Sequence, residues 1–275
     1  MSIVEIVKIL TSAGIEQNEA NAEVKMLIEH FCGYSAIDIV MGKRLDESKL
    51  NLVREKAQLR ARTRMPIQHI LGFSYFMGDK FKVSKDTLIP RNETEILARK
   101  AIDIINKNNL KSALDIGTGT GILACTIAKY TLSNATALDV SEKALKIAEE
   151  NIKNLGLSKK VKVLKSDLFE NVDEKFDLIV SNPPYIPLSE KATIQKEVTF
   201  DPELALFTKD AKGLEFYEKI IKEAKNYLNK NGYLLFEMGI DQSKEIKELL
   251  ETNGYKNIEI IKDLAEIDRV AIAQI

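Results

Sequence analysis

The stretch Leu114–Ala124, LDIGTGTGILA, decides how this chain folds. An apolar run too short for a helix ends at Asp115 and Ile116, meets glycines at 117, 119 and 121, and passes into a second apolar segment. Glycines at such a point permit turns with positive φ and let the backbone approach a ligand, while the following helix points its amide dipoles at the bound group. The same pattern also makes a plain tight turn from strand to helix, so its meaning depends on what surrounds it.

Around it, strand and helix patterns alternate. Short apolar runs at 112–116, 134–139, 161–166, 176–181 and 232–237 are separated by helical stretches near 121–130, 141–154 and 213–229. A helix near 241–253 then precedes two last strands, 257–262 and 269–275. Runs of this length fit buried strands, and the order predicts an α/β fold, a seven-stranded, mostly parallel, Rossmann-like sheet covered on both faces. Ligands of such sheets lie beyond the carboxyl ends of the strands, where the strand order reverses.

Upstream the period is helical. Ile3, Ile6, Val7 and Leu10, then Val24, Leu27, Ile28 and Phe31, then Leu50, Val53, Ala57 and Ala61 predict a small all-α bundle over 1–64, with Gly14, Gly33 and Gly42 between helices. The change of period falls at Met65 and Pro66, giving a linker over 65–87 and an α/β domain over 88–275. Aromatics on both sides of Gly78 and Asp79 predict a β-hairpin between Phe73 and Val83, and Asn92 with Glu95 predicts a helix start with a capping pair.

Composition narrows the function classes. Forty basic against 41 acidic side chains give a formal net charge of −1, which implies no global attraction to polyanions such as nucleic acid. No run of 18 uncharged apolar residues predicts a membrane span, and Glu5 and Lys8 interrupt the N-terminal apolar pattern as no signal peptide would, so a cytoplasmic location is expected. Cys32 and Cys125, with only His30 and His69 as further soft ligands, predict buried thiols and no metal site.

At the strand ends, the glycine loop reads G-x-G-x-G, with Ile122 where a dinucleotide fingerprint has its third glycine. It resembles the first motif of the S-adenosylmethionine-dependent methyltransferases, whose cofactor carries no phosphate and a zwitterionic methionine end. Asp115 and the loop Gly117, Thr118, Gly119, Thr120 and Gly121 would meet that end. Asp139, 22 residues after Gly117, suits ribose hydroxyls, although an acid there could instead serve the next helix start. Asp167 and Leu168 after the third strand could hold the adenine amine and face.

The fourth strand ends in Asn182-Pro183-Pro184-Tyr185. Each proline restricts the residue before it and lacks an N–H, so carbonyl directions are fixed. The Asn182 side-chain oxygen and the Pro183 carbonyl are then two acceptors for one –NH2, and Tyr185 offers a flat face. This is a site for a planar primary amide or an aromatic amine, glutamine and adenine alike; the plain alternative is a proline-terminated strand.

Together LDIGTGTG, SDLF, SNPPYIP, PIQHILG (66–72), LIPRNETEIL (88–97), DPELAL with GLEFY (201–217) and LLFEMG (234–239) resemble the glutamine N5-methyltransferases of peptide chain release factors, the HemK/PrmC type. The resemblance implies methyl transfer from S-adenosylmethionine to the glutamine of a Gly-Gly-Gln tripeptide in class I release factors. Gly117 to Gly121, Asp139, Asp167, Leu168 and Asn182 would bind cofactor, Asn182, Pro183, Pro184 and Tyr185 would frame the glutamine, and Asn182, Pro183 and Tyr185 would carry catalysis. Leu168 stands where the family often has Trp, which leaves stacking on adenine either weaker or passed to Phe169, and Asn92 replaces a Pro. The helical domain would dock the release factor, and its basic stretch Arg54, Lys56, Arg60, Arg62 and Arg64 is either an acidic partner's landing face or a solvated helix side. Competing readings are an adenine-N6 methyltransferase of nucleic acid, a glutamine methyltransferase of a ribosomal protein, and a catalytically silent scaffold.

Overall fold

The computed structural model describes every residue except 1, 36, 39, 40, 44 and 45. The chain divides into two units: residues 1–73 with 195–200, and residues 74–194 with 201–275.

The first unit is helical. Helices α1 (Ile3–Ser12), α2 (Gln17–Cys32), α3 (Glu47–Thr63) and the short α4 (Ile67–Leu71) bury the predicted stripe, including Ile6, Leu10, Val24, Leu27, Ile28, Val53 and Ala57. Ser2 and Glu5 close a capping box on α1, Asp46 accepts from the Ser48 amide at the start of α3, and Gly33 ends α2 in the left-handed conformation. Ile67, Leu71 and Phe73 belong to the same core, so this unit runs past the expected boundary at residue 64.

Two members of the expected basic stretch are paired within this unit, Arg60 buried and Arg64 half-buried. Arg60 is 2% exposed, and its guanidinium meets Glu23 at 3.0 Å, Glu19 at 3.2 Å and Glu197 at 3.0 Å. Arg64 pairs with Glu197 and donates to the Ala13 carbonyl. A helix carrying so many cations reads as a solvated or docking face in sequence. The acids that pair with two of them come from distant positions, one of them more than 130 residues away.

In the second unit, β1 (Phe73–Phe76) and β2 (Asp79–Lys82) form the hairpin. The turn is Met77-Gly78, one residue earlier than Gly78-Asp79, because both turn positions take positive φ, 50° and 82°. Glu95 accepts from the Met77 amide at 2.9 Å and from Arg99 at 3.0 Å. It is therefore not half of a capping pair with Asn92: helix α5 (Thr94–Asn108) starts behind Glu93 with no side-chain cap.

The sheet strands are β3 (Ser112–Ile116), β4 (Asn134–Asp139), β5 (Val161–Lys165) and β6 (Phe176–Ser181), with β7 (Ile186–Pro187) and β8 (Phe207–Thr208) forming a separate small pair. Then come β9 (Leu228–Glu237), β10 (Lys256–Lys262) and β11 (Asp268–Gln274). The seven-stranded order is β10-β11-β9-β6-β3-β4-β5, with only β11 antiparallel to its neighbours. β9 begins earlier than the apolar run at 232–237, because Leu228 already pairs with Phe176 across a register shift; polar Asn229, Lys230 and Asn231 hide that half in sequence.

Helices α6 (Ile122–Tyr130) and α7 (Glu142–Asn154) follow β3 and β4; α8 (Glu203–Leu206), α9 (Glu215–Tyr227) and α10 (Ser243–Thr252) come later in the chain. Both sheet faces are covered. Leu178, Val180 and Leu235 face the layer of α5 and α6, whereas Ile179, Leu234 and Phe236 face that of α9 and α10. Alternating side chains thus enter two different cores, which is why these strands read as unbroken apolar runs. Each such side chain is worth roughly 1.5–3 kcal/mol of burial.

Candidate active site

The chain runs β3 to β4 to β5 in one direction across the sheet, and then crosses to place β6 on the other side of β3. Ile116 pairs with Ser181 in register, so Gly117 and Asn182 leave the sheet side by side at the reversal. The Ser181 hydroxyl donates to the Ile116 carbonyl at 2.8 Å and ties the two loops together.

Between them opens a cleft enclosing about 830 Å³, open solvent at its mouth included. Of the predicted residues, Gly117, Gly119, Asp139, Asp167, Leu168, Asn182, Pro183 and Pro184 line it. Thr118, Thr120 and Gly121 stand behind that surface and shape it. The Thr118 hydroxyl and the Ala124 amide donate to Asp115 Oδ2, which braces the loop against the start of α6. Gly121 has φ +82°, and a Cβ there would lie 3.3 Å from that of Ala148, so α6 and α7 pack through this glycine. Asp115 is almost wholly buried, and burial pushes its carboxyl up to about 7; its Oδ1 has no partner among the described residues.

Asp139 shares its carboxylate between two backbone donors, Gly119 N–H at 3.0 Å and Ser141 N–H at 2.9 Å. Burial raises its pKa, the two amides oppose the shift, and its remaining lone pairs are available to the cleft. Helix α7 has its own cap, since Ser141 Oγ accepts from the Ala144 amide at 3.3 Å. Leu168 sits at φ 47°, held by its carbonyl accepting from Ser166 Oγ at 2.8 Å. Phe169 does not take over stacking from the missing Trp. It is 1% exposed and stacks on Tyr227, ring centres 4.6 Å apart, because the positive φ before it turns its ring into the core. Phe216 and Ile220 of α9 join Leu168 in the cleft wall instead.

The proline loop is held from several sides. Asn182 Nδ2 donates to Thr94 Oγ1 at 3.3 Å, and the Tyr185 carbonyl accepts from Gln242 Nε2 at 3.1 Å. A Cβ on Gly213 would stand 2.0 Å from the Tyr185 oxygen, so only glycine lets that chain approach. Tyr185 itself lines a neighbouring groove with Ile186, Pro187 and Arg269 and not the cleft of the glycine loop; burial pushes its phenol up to about 12. Asp201, its carboxylate wholly buried, accepts from the Ile89 amide and from Arg91, which brings the LIPRN and DPELAL blocks together. Thr87, Leu88, Pro202, Leu204 and Ala205 thereby reach the cleft.

Asp86, Asp139 and Asp167 line the cleft with no basic side chain among the described residues. Lys143 pairs with Asp86 at 3.4 Å, but Asp139 and Asp167 carry no ion pair among the described residues, and two such carboxylates repel a pyrophosphate and favour a ligand bearing positive charge. A sulfonium with an α-amino group fits that donor set, and a dinucleotide does not. Sequence reasoning gave no role to Thr94, Phe216 or Glu237. All three lie in the blocks ETE, GLEFY and LLFEMG, so a signal existed, but only the tertiary placement says what each touches.

The comparisons agree with this geometry. Residues 93–200 match the model of the methyltransferase small domain, and residues 3–72 match that of the PrmC N-terminal domain. A release factor glutamine methyltransferase of Fusobacterium nucleatum is 41% identical over 85% of this chain and 67% of its own. That of Francisella tularensis is 35% identical over 100% of this chain and 99% of its own. The catalytic domain of hMettl16, solved in complex with an RNA hairpin, superposes with a TM-score of 0.60 at 18% identity, covering 80% of this chain and 81% of that one, which shows a shared fold alone. With acidic cleft, proline loop and end-to-end similarity in agreement, the chain belongs to the release factor glutamine methyltransferase family.

Proposed function

We propose that this chain transfers a methyl group from S-adenosylmethionine to the side-chain amide nitrogen of the glutamine in the Gly-Gly-Gln tripeptide of class I peptide chain release factors. The observation that carries this reading is the junction of an acidic, cation-favouring cleft with the Asn182 amide and the rigid Pro183 carbonyl on one wall. Gly117, Gly119, Asp139, Asp167 and Leu168 would hold the cofactor, which when bound supplies an electrophilic methyl group.

Asn182 Oδ1 and the Pro183 carbonyl would accept both N–H bonds of the substrate amide. A glutamine nitrogen is a poor nucleophile because its lone pair is delocalised; two acceptors increase its electron density and fix its direction. Positioning and preorganised dipoles then supply most of the catalysis, and no strong general base is required. Pro184 would frame the glutamine stem, and Tyr185, on the adjoining groove, the residues beside it.

The choice of protein glutamine over adenine rests on family membership, since both present the same –NH2. The helical unit would dock the release factor; Arg54 and Arg62 of α3 remain outside the buried Arg60 cluster and could meet an acidic surface. None of the described helices is long and apolar enough to cross a membrane, and a translation-factor substrate supports a cytoplasmic location. Incubation with a class I release factor and S-adenosylmethionine, followed by peptide mass spectrometry, should show one added methyl on the Gly-Gly-Gln glutamine. An unmodified release factor alongside methylated nucleic acid or ribosomal protein would overturn the reading.

A further inference from the structure

Strand β9 ends at Glu237, 3% exposed, directly behind the proline loop. Its carbonyl accepts from the Tyr217 hydroxyl at 2.9 Å, which fixes the backbone. Phe236 pairs with Ser181 across the sheet, which sets Glu237 beside Asn182, and Thr94 at the start of α5 and Asn182 after β6 both favour the ionised form of its carboxylate. Glu93 of the same helix start, Arg269 of β11, and the phenols of Tyr185 and Tyr217 are the other charged or titratable groups around it. Its Oε2 is buried without a partner among the described residues. Nothing in the proposed transfer uses this acid directly.

The two ends of an asparagine amide have nearly the same shape and opposite polarity. If Asn182 presents oxygen to the cleft, the site accepts from a substrate –NH2; if it presents nitrogen, donor meets donor. Packing cannot choose between them, but hydrogen-bond polarity can. An ionised carboxylate only accepts. Thr94 has one hydroxyl proton, and with that proton directed to Glu237 its oxygen is left to accept, as it does from Asn182 Nδ2 at 3.3 Å. The amide oxygen is then turned toward the cleft.

We propose that Glu237, acting with Thr94, is a positioning residue that sets the orientation of the Asn182 amide so that its oxygen faces the substrate. The proposal deepens the methyltransferase reading and rests on it for its kinetic consequences. A protonated Glu237 can donate to Thr94, Thr94 can donate to the amide oxygen, and the chain of bonds reverses. Burial, aided by Glu93 and opposed by Thr94, Arg269 and Asn182, raises this carboxyl to about 7, which puts the reversal within reach of ordinary buffers.

The test compares wild type, Glu237→Gln, Thr94→Val and Thr94→Ser. Turnover of a class I release factor is measured across the neutral range, with S-adenosylmethionine binding followed by calorimetry. Wild-type kcat should fall on the acid side with a midpoint near 7. Glu237→Gln should lose that limb and, with Thr94→Val, lose roughly tenfold or more in kcat on the alkaline side, with cofactor affinity kept within about twofold. Thr94→Ser should keep wild-type behaviour. In parallel, the Asn182 side-chain amide resonance, assigned by its loss in Asn182→Ala, should titrate with that midpoint in wild type and stay still in Glu237→Gln. A wild-type acid limb surviving in Glu237→Gln, Thr94→Val equal to Thr94→Ser, or an amide signal blind to pH would overturn the proposal. Should wild type leave release factors unmodified, the substrate reading fails and the amide titration still decides this one.

Discussion

The loop after β3 and the loop after β6 leave the sheet next to each other and are made in opposite ways. Gly117, Gly119 and Gly121 all take positive φ, and the backbone reaches shapes that side chains would strain. Asn182, Pro183 and Pro184 do the reverse, since proline rings remove conformations until carbonyls point in fixed directions. The first loop is held by what grips it: Asp115 from behind, Asp139 from the front and Ala148 across α7. The second is stiff in itself and is oriented through its ends, at Ser181, Thr94 and Gln242. One loop leaves a ligand room; in the proposed transfer the other would present it with two acceptors. Damage to the first should therefore appear in stability and cofactor binding, and damage to the second in turnover.

The largest effect expected from this contrast is in Asn182→Ala. Loss of one of two preorganised acceptors should lower kcat about 10²–10³-fold, in line with the removal of a single preorganised hydrogen bond elsewhere. The melting temperature should change little and the S-adenosylmethionine affinity should fall far less than turnover, and a variant that keeps full turnover would remove Asn182 from the active site. Gly121→Ala is the opposite case. Its left-handed φ of 82° costs a side chain about 1–2 kcal/mol, and the close approach to Ala148 adds to it, so thermal unfolding should come several degrees lower and cofactor binding weaken. Unchanged melting would mean that the loop is not gripped as described.

The smallest effect is a pH dependence. Asp115 has its carboxyl raised from 3.8 to about 7, so the folded chain keeps a proton that the unfolded chain releases. Stability falls as pH rises through that window, with no penalty below it and a full one above. Between pH 6 and 8 the loss from this group should be about 1 kcal/mol, read by chemical denaturation. Asp115→Asn should flatten that dependence; Glu237, raised from 4.5 to about 7, adds a further loss of the same sign. A slope identical in wild type and Asp115→Asn would show that this carboxyl does not carry the proton.

Most of the architecture could be read from residue order alone. The strand and helix spacing fixed an α/β sheet because strands covered on both faces are apolar at successive positions, as Leu178 to Val180 and Leu234 to Phe236 are. Gly117, Asp139, Asp167 and Asn182 could be named because each lies at or just beyond the end of a strand, and the strand ends of such a sheet converge. Where local pattern misled, a distant partner had intervened. Glu95 left its capping role for Met77, Arg60 left the surface for Glu23 and Glu197, and Phe169 was turned inward by the positive φ of Leu168.

By itself, then, the sequence determined the sheet, the glycine loop and the stiff proline turn after Asn182, since those depend on backbone conformations that glycine and proline impose locally. Only the tertiary structure decided which groups share the cleft: Phe216 from α9, Leu88 and Ala205 brought in by Asp201, and Glu237 with Thr94 behind Asn182. The physical reason is that hydrogen-bond polarity and charge burial are properties of neighbours in space. No spacing along the chain encodes which end of the Asn182 amide faces a substrate; a buried carboxylate on another strand does.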